Sequence, residues 1–145
     1  MTTIVLADDH LMVRQGVKAL LCTEPDFQII GEAGDGTEAA KLVESLKPDV
    51  LVTDLKMPEV NGIELTRQTR ELSPKTAVVI LSIHGENAYV FEALRAGARG
   101  YVLKESISDD LANAIRAALC GNCYLSPPLT EERVKAYGKR IGQIL

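Results

Sequence analysis

The chain has 145 residues, of which 46% are hydrophobic and 25% charged, and its formal net charge is −4 at neutral pH. This length allows one domain with a sizeable core and a short appendage, but not two full domains. The acidic excess lies in residues 1–125, whereas residues 126–145 carry four basic and two acidic side chains. An acidic main body argues against a nucleic-acid-binding surface.

The sequence gives no sign of export or of a disulfide framework. No apolar stretch approaches the roughly 20 residues of a membrane span, and Asp8-Asp9 interrupt the first apolar segment, so we expect a cytoplasmic protein. The chain has three cysteines. Cys120 and Cys123 have no second pair with which to form a zinc site. We interpret this pair as incidental, with Cys120 on an apolar helix face and Cys123 in a turn.

Apolar, β-branched segments alternate with segments of helical periodicity along the chain. In chain order we predict the strand Thr3–Asp8, a helix from Leu11 to Cys22, the strand Gln28–Ala33, a helix over 36–46, the strand Val50–Asp54, a helix over 62–72, the strand Ala77–Ser82, a helix over 86–96, the strand Gly100–Leu103 and a helix from near Ser108 to Gly121. This alternation predicts an α/β fold with a doubly wound parallel sheet and helices on both faces.

The last residues are predicted to form an appendage to this domain. The stretch Tyr124–Pro128 has the composition of a linker. A helix then begins at Thr130, with apolar side chains on one face. That face requires a partner surface, in this chain or in another. We therefore divide the chain into a domain over 1–123 and a linker with a C-terminal helix over 124–145.

Four of the five predicted strands end in chemically useful side chains. Asp8-Asp9, Asp54, Ser82 and Lys104 lie at the carboxyl ends of their strands. Ligands of open parallel sheets bind beyond those ends. Carboxylates on neighbouring strands repel one another unless a cation lies among them, and hard oxygen ligands suit Mg²⁺. The pattern therefore predicts a magnesium site built from Asp8, Asp9 and Asp54.

Asp54 is the candidate nucleophile, because aspartate carboxylates form aspartyl phosphates in several enzymes. Attack on phosphorus requires an ionised carboxylate, a metal that neutralises the phosphoryl oxygens and a further cation. Lys104 provides that cation, and Ser82 provides a hydroxyl for a phosphoryl oxygen. Taken singly, Lys104 is typical of a surface lysine, Ser82 of a strand-end cap and Tyr101 of a half-exposed strand aromatic. Their joint placement favours the functional interpretation.

These segments resemble the receiver domain of bacterial two-component response regulators over about residues 3–121. The segments that carry the resemblance are Leu6–His10, Asp54–Gly62, Leu81-Ser82 and Gly100–Lys104. Those that resemble the NarL-like, LuxR-type branch are Asp9–Gly16, Ser82–His84 and Glu92–Ala98. The resemblance implies a five-stranded flavodoxin-like sheet of order 2-1-3-4-5, and makes residues 1–123 the receiver domain.

The resemblance also implies roles for individual residues. Asp54 would accept a phosphoryl group from a phosphohistidine on a partner sensor kinase. Asp9 and Asp54 would bind Mg²⁺ directly and Asp8 through water. The backbone carbonyl of Lys56 would complete the protein ligands.

Three further residues would respond to the phosphoryl group, and a fourth would influence its lifetime. Lys104 would pair with it, and Ser82 would move toward it. Tyr101 would turn inward behind Ser82 and so alter the face formed by the fourth helix and fifth strand, a small electrostatic change that biases a two-state element. His84 is expected to tune the lifetime of the phosphorylated state.

The C-terminus departs from that branch, whose members carry a helix-turn-helix DNA-binding domain after the linker. About 20 residues follow the start of the linker here, which is too few for such a domain. We therefore expect a chain without the DNA-binding domain, either a fragment of a transcription regulator or a stand-alone receiver. DNA would be contacted only through the missing domain, and a homodimer is possible.

Three other functions were weighed. An enzyme of the haloacid dehalogenase type requires a second aspartate two residues after the nucleophile, where this chain has Lys56, so we predict that it is not an enzyme. A dinucleotide-binding domain requires a glycine-rich turn after the first strand, where Asp8-Asp9 stand. A receiver fold that works without phosphorylation stays open. His10 and His84 lack a third imidazole or thiol, and neither is predicted to be a metal ligand.

Overall fold

Parallel strands and helices alternate along the whole chain in the computed structural model, which describes residues 1–145. The elements are β1 (Thr2–Ala7), α1 (Leu11–Leu21), β2 (Phe27–Ala33), α2 (Gly36–Leu46), β3 (Val50–Asp54), α3 (Gly62–Leu72), β4 (Ala77–Ser82), α4 (Asn87–Ala96), β5 (Gly100–Leu103), a 3-10 turn (Lys104–Ser106), α5 (Ile107–Leu119), β6 (Tyr124–Leu125) and α6 (Glu131–Arg140). None of the helices has both the length and the hydrophobicity needed to cross a bilayer.

The strands form one parallel sheet in the order β2-β1-β3-β4-β5-β6, which confirms the predicted order of the first five. Every residue of the central strand β3 is buried, as expected of a strand covered on both sides. One apolar core lies between the sheet and α2, α3 and α4. A second core lies between the sheet and α1 and α5. The predicted doubly wound arrangement is therefore confirmed.

Short polar side chains and one glycine determine where several helices begin and end. The carboxylate of Asp35 accepts a hydrogen bond from the Glu38 amide at the start of α2. Asn61 does the same for Glu64 at the start of α3. Such caps satisfy amides that lack a partner within the helix. At the other end of α4, Gly97 adopts a left-handed conformation with φ of 116°, which glycine reaches without a steric penalty.

The prediction of five strands was wrong by one, because residues assigned to the linker form β6. Tyr124 pairs with Gly100, and Leu125 pairs with Tyr101. The Tyr124 amide also donates to the Arg99 carbonyl at 2.9 Å. These bonds satisfy backbone groups on the free side of β5. A strand of two residues is too short to show a periodic pattern in sequence.

Two local predictions about the end of the domain also need correction. Helix α5 begins at Ile107, one residue before Ser108, and its capping position is Ser106. Cys120 lies at the exposed end of α5 instead of on its apolar face. That face consists of Leu111, Ala114, Ile115 and Ala118. Residues of this face recur every three or four positions. Cys120 falls outside that spacing and follows the last helical residue, Leu119.

Candidate functional site

The carboxyl ends of four adjacent strands meet at one edge of the sheet and bring the predicted residues together. Asp54 is the last residue of β3 and is 6% exposed, and Asp8 follows β1 and is 1% exposed. One ligand atom from each of Asp8, Asp9, His10 and Asp54 lies within 4.8 Å of the others. The predicted acidic cluster is therefore present in the fold, and His10, which the sequence interpretation left out, stands beside it.

Lys104 projects into this cluster from the 3-10 turn after β5. Its Nζ atom lies 3.1 Å from Oδ1 of Asp54 and 3.9 Å from Oδ2 of Asp8. Burial raises the pKa of the Asp54 carboxyl above its ordinary value, an effect that Lys104 opposes and Asp8 reinforces. One ammonium thus offsets part of the cost of placing two carboxylates out of water.

The residues present fit a divalent cation. Oδ1 of Asp8 accepts a hydrogen bond from the His10 amide at 2.8 Å, whereas the buried Oδ2 of Asp8 has no hydrogen-bond partner. A buried carboxylate oxygen without a donor is costly unless another charge faces it. Together with Asp9 and Asp54, it forms the set of hard oxygen ligands that Mg²⁺ prefers. His10 lies beside this set of oxygen ligands, with its Nδ1 atom 3.1 Å from Oδ1 of Asp9.

A small cavity of about 130 Å³ opens onto this edge of the sheet. Its lining includes Asp54, Lys56, Ser82, His84 and Lys104. Lys56 lies in the loop after β3, and its Nζ atom is 5.3 Å from the centre of the Tyr89 ring. The contact between the Lys56 backbone carbonyl and Mg²⁺, which the family resemblance implies, stays a prediction. The cavity has room for a group of phosphoryl size next to Asp54.

Ser82, His84 and Tyr101 form a connected set of hydrogen bonds behind Lys104. The His84 amide donates to Oγ of Ser82 at 2.9 Å, and the Tyr101 hydroxyl donates to the His84 carbonyl at 2.7 Å. Tyr101 is fully buried, so the plain interpretation as a half-exposed strand aromatic was wrong. Burial raises the pKa of its hydroxyl to about 12. The Tyr101 ring therefore lies inside the fold, and its movement on phosphorylation stays a prediction.

The sequence analysis assigned no individual role to two residues that hold the site in place. An Arg14 guanidinium nitrogen donates to the Asp8 carbonyl at 2.6 Å and to the Ala33 carbonyl at 3.3 Å, so it ties the end of β1 to β2. Gly62 starts α3 so close to Asp54 that a Cβ there would lie 2.4 Å from the Asp54 carbonyl oxygen. No local signal marks Arg14, whereas Gly62 was visible in the motif.

The model of the response regulator receiver domain matches residues 4–116 of the chain. The chain belongs to this family. Among its relatives, the transcriptional regulatory protein DegU of Brevibacillus brevis is 40% identical over 140 residues, covering 97% of this chain and 59% of DegU. The nitrate/nitrite response regulator protein NarL of Escherichia coli K12 is 42% identical over 128 residues, covering 88% of this chain and 59% of NarL.

A solved structure extends the match to nearly the whole receiver chain. The crystal structure of a LuxR-family two-component response regulator from Aurantimonas sp. SI85-9A1 superposes with a TM-score of 0.87 at 35% identity, covering 97% of this chain and 99% of that one. The resemblance to the NarL-like, LuxR-type branch is thereby confirmed. The chain spans about three fifths of the length of the curated relatives named above.

Proposed function

We propose that this receiver domain accepts a phosphoryl group on Asp54 from a phosphohistidine of a sensor histidine kinase and thereby switches a protein-interaction face. The observation that carries the proposal is the arrangement around Asp54. Its carboxylate is buried, Lys104 is 3.1 Å away, and a second buried carboxylate, Asp8, keeps one oxygen without a hydrogen bond. A purely structural ion pair does not require that excess of negative charge.

In the transfer, an oxygen of the Asp54 carboxylate forms a bond to phosphorus while the bond between phosphorus and the donor imidazole breaks. Asp9 and Asp54 would hold Mg²⁺ directly, Asp8 through water, and the Lys56 carbonyl would complete the set. When bound, Mg²⁺ neutralises charge on the phosphoryl oxygens. Lys104 is placed to pair with a phosphoryl oxygen once the Asp54 charge has moved onto that group.

Ser82 and Tyr101 would translate the new group into a change of surface. Oγ of Ser82 accepts from the His84 amide, which leaves its own proton available for a phosphoryl oxygen. A shift of Ser82 would pull on His84, whose carbonyl receives the Tyr101 hydroxyl. Tyr101 lies on β5 in the core beneath α4, so the change would reach the α4–β5 surface.

The relatives support a proposal for the biological output. DegU and NarL are regulatory proteins that extend well beyond the matched region. We propose that this receiver regulates transcription in a phosphorelay when a DNA-binding domain outside this chain is attached, and that it does not act as an enzyme on external substrates. A cytoplasmic location, the division between 1–123 and 124–145, and homodimer formation stay predictions.

Intact-mass analysis after incubation with acetyl phosphate and Mg²⁺ tests the proposal. We expect one added phosphoryl group in the parent protein and none in Asp54→Asn or in excess chelator. Asp109→Asn is the matched control, because Asp109 is an exposed aspartate on α5, and it should label like the parent. No adduct, where a known receiver is labelled, would contradict the proposal and favour a receiver fold that works without phosphorylation.

A further inference from the structure

A second cavity, of about 360 Å³, lies at the edge of the sheet opposite to the acidic cluster. Its lining includes Ala77, which begins β4, and Arg99, which directly precedes β5. Asp54 ends its own strand, and all the strands are parallel, so the two sites are separated by the length of the strands. We call this space, which α3, the end of α4 and the end of α5 enclose, the basal cavity. Its volume is within the range of small-molecule sites.

Three cationic side chains line the basal cavity, and no aspartate or glutamate does. Arg70 comes from α3, Lys75 from the loop between α3 and β4, and Arg99 from the residue before β5. None of the three forms an ion pair with a carboxylate. The chain as a whole is acidic, with a net charge of −4. Because like charges repel, this local positive excess favours an anion in the cavity.

The hydrogen bonds of the two arginines fix their positions and leave most of their donors free. Nη1 of Arg99 donates to the Gly121 carbonyl at 2.9 Å, and Nη2 of Arg70 donates to the Arg95 carbonyl at 3.4 Å. Both acceptors lie at the carboxyl ends of helices, where a cation is favourable. Capping of these helices explains one hydrogen bond from each guanidinium. Since a guanidinium has five N–H groups, donors remain for a ligand.

Gly97 makes room for the Arg70 guanidinium at the wall of the cavity. A Cβ at this position would lie 2.8 Å from Nε and 3.0 Å from Cζ of Arg70. Any side chain there would therefore push the guanidinium away from its present place. Gly97 itself lines the cavity. The residue that ends α4 thus also holds open the space in which one of the three cations lies.

The rest of the lining includes apolar side chains. Val78 and Ala118 are buried, and Leu119 is exposed at the end of α5. A single inorganic anion would leave much of the cavity unfilled, so an organic group has a surface to contact. A few charged groups beside apolar walls are typical of sites for small molecules.

We infer that the basal cavity binds a small phosphate monoester, with its phosphate among Arg70, Lys75 and Arg99 and its organic group against the apolar wall. The cations come from three different elements and so face the cavity from different sides. A tetrahedral phosphate presents oxygens in all these directions, whereas a planar carboxylate presents only two, and arginine pairs well with phosphate. The inference does not rest on the function proposed above, because this site requires neither Mg²⁺ nor Asp54.

Amide chemical shifts of the full chain, measured by NMR in chelator and at low ionic strength, test the inference. Phenyl phosphate is the probe, and benzoate is the matched carboxylate with the same ring. Phenyl phosphate should shift the amides of Gly97, Arg99 and Gly121 in a saturable way, with a Kd of about 1 mM or tighter. Benzoate should bind at least about fivefold more weakly. The absence of saturable shifts, or shifts centred elsewhere, would overturn the inference, and equal binding of benzoate would overturn the assignment to phosphate.

Charge-removing variants separate this site from general attraction to basic groups. Arg70→Gln and Arg99→Gln should each weaken phenyl phosphate binding by about fivefold, as expected for a partly exposed charge pair. Lys41→Gln removes the same charge from an exposed residue of α2 outside the cavity and should bind like the parent. Asp54→Asn should also bind like the parent. Equal weakening in Lys41→Gln, or a changed affinity in Asp54→Asn, would overturn the inference and leave the proposed function untouched.

Discussion

The ammonium nitrogen of Lys104 lies 3.1 Å from Oδ1 of Asp54 and 3.9 Å from Oδ2 of Asp8. A single cation therefore faces two buried carboxylates, with Asp9 close by. The site keeps an excess of negative charge that a divalent cation is suited to offset. Under the proposed function, fold stability, Mg²⁺ binding and phosphoryl transfer would all depend on these carboxylates and on Lys104.

Asp54→Asn should stabilise the fold at neutral pH in the absence of metal. Burial raises the pKa of Asp54 above its ordinary value of 3.8, so the folded chain binds this proton more readily than the unfolded chain. The free energy of unfolding therefore falls as pH rises from 3.8 through the raised pKa, and the deficit persists above it. Urea denaturation with chelator present should show a stability gain at pH 7 that shrinks toward pH 4. A less stable variant at pH 7 would contradict this assignment.

Mg²⁺ should raise the free energy of unfolding, because the proposed site exists only in the folded chain. One bound ion at 100 times its Kd adds about 2.7 kcal/mol. In Asp8→Asn, the same Mg²⁺ concentration should add less, since the variant lacks the carboxylate whose oxygen has no partner. Asp35→Asn is a suitable control, because asparagine also caps helices well. Equal stabilisation of parent and Asp8→Asn in a Mg²⁺ titration would exclude Asp8 from the site.

Lys104→Ala should leave the fold intact and keep Mg²⁺ binding, since removal of a cation lowers the repulsion of a metal ion. The response to phosphorylation should weaken, because no ammonium remains to pair with the phosphoryl group. Exchange of α4 amides before and after acetyl phosphate measures that response. Lys75→Ala serves as the control, because Lys75 is exposed. A full response in Lys104→Ala would remove Lys104 from the mechanism.

Gly62→Ala should destabilise the protein by about 1–3 kcal/mol, the usual cost of overpacking. The added methyl would meet the Asp54 carbonyl oxygen at 2.4 Å and displace the acceptor together with the start of α3. Urea denaturation measures the loss, and the labelling rate should fall with it. Gly16→Ala, in open surroundings, should instead be neutral or slightly stabilising. Equal stability of the two variants would refute the close approach.

The acidic edge of the sheet could be predicted from sequence because its geometry follows from topology. In a parallel sheet, residues such as Asp54 and Lys104 at the ends of strands must converge. The buried strands were visible as continuous apolar segments, since both of their faces are covered. At this edge the local sequence pattern and the fold agree, so the rules for buried strands and parallel sheets were enough to predict that these residues converge.

What sequence analysis missed depends on contacts between distant residues. The two residues of β6 are strand only because β5 has a free edge beside them. The Arg14 guanidinium reaches two backbone carbonyls that the fold brings together, and no spacing along the chain announces this. The burial of Tyr101 depends on packing with α4, which lies 5 to 14 residues before it, and with the segment from β6 to α6, which lies 23 to 39 residues after it.

Chemical mapping of the phosphoryl acceptor tests the central claim most directly. The protein is treated with acetyl phosphate and Mg²⁺, reduced with borohydride, which converts an aspartyl phosphate to homoserine, and analysed by peptide mass spectrometry. Our account predicts homoserine at position 54, dependent on Mg²⁺. Homoserine at Asp8 or Asp9, or at no aspartate in a sample whose intact mass shows the adduct, would contradict it.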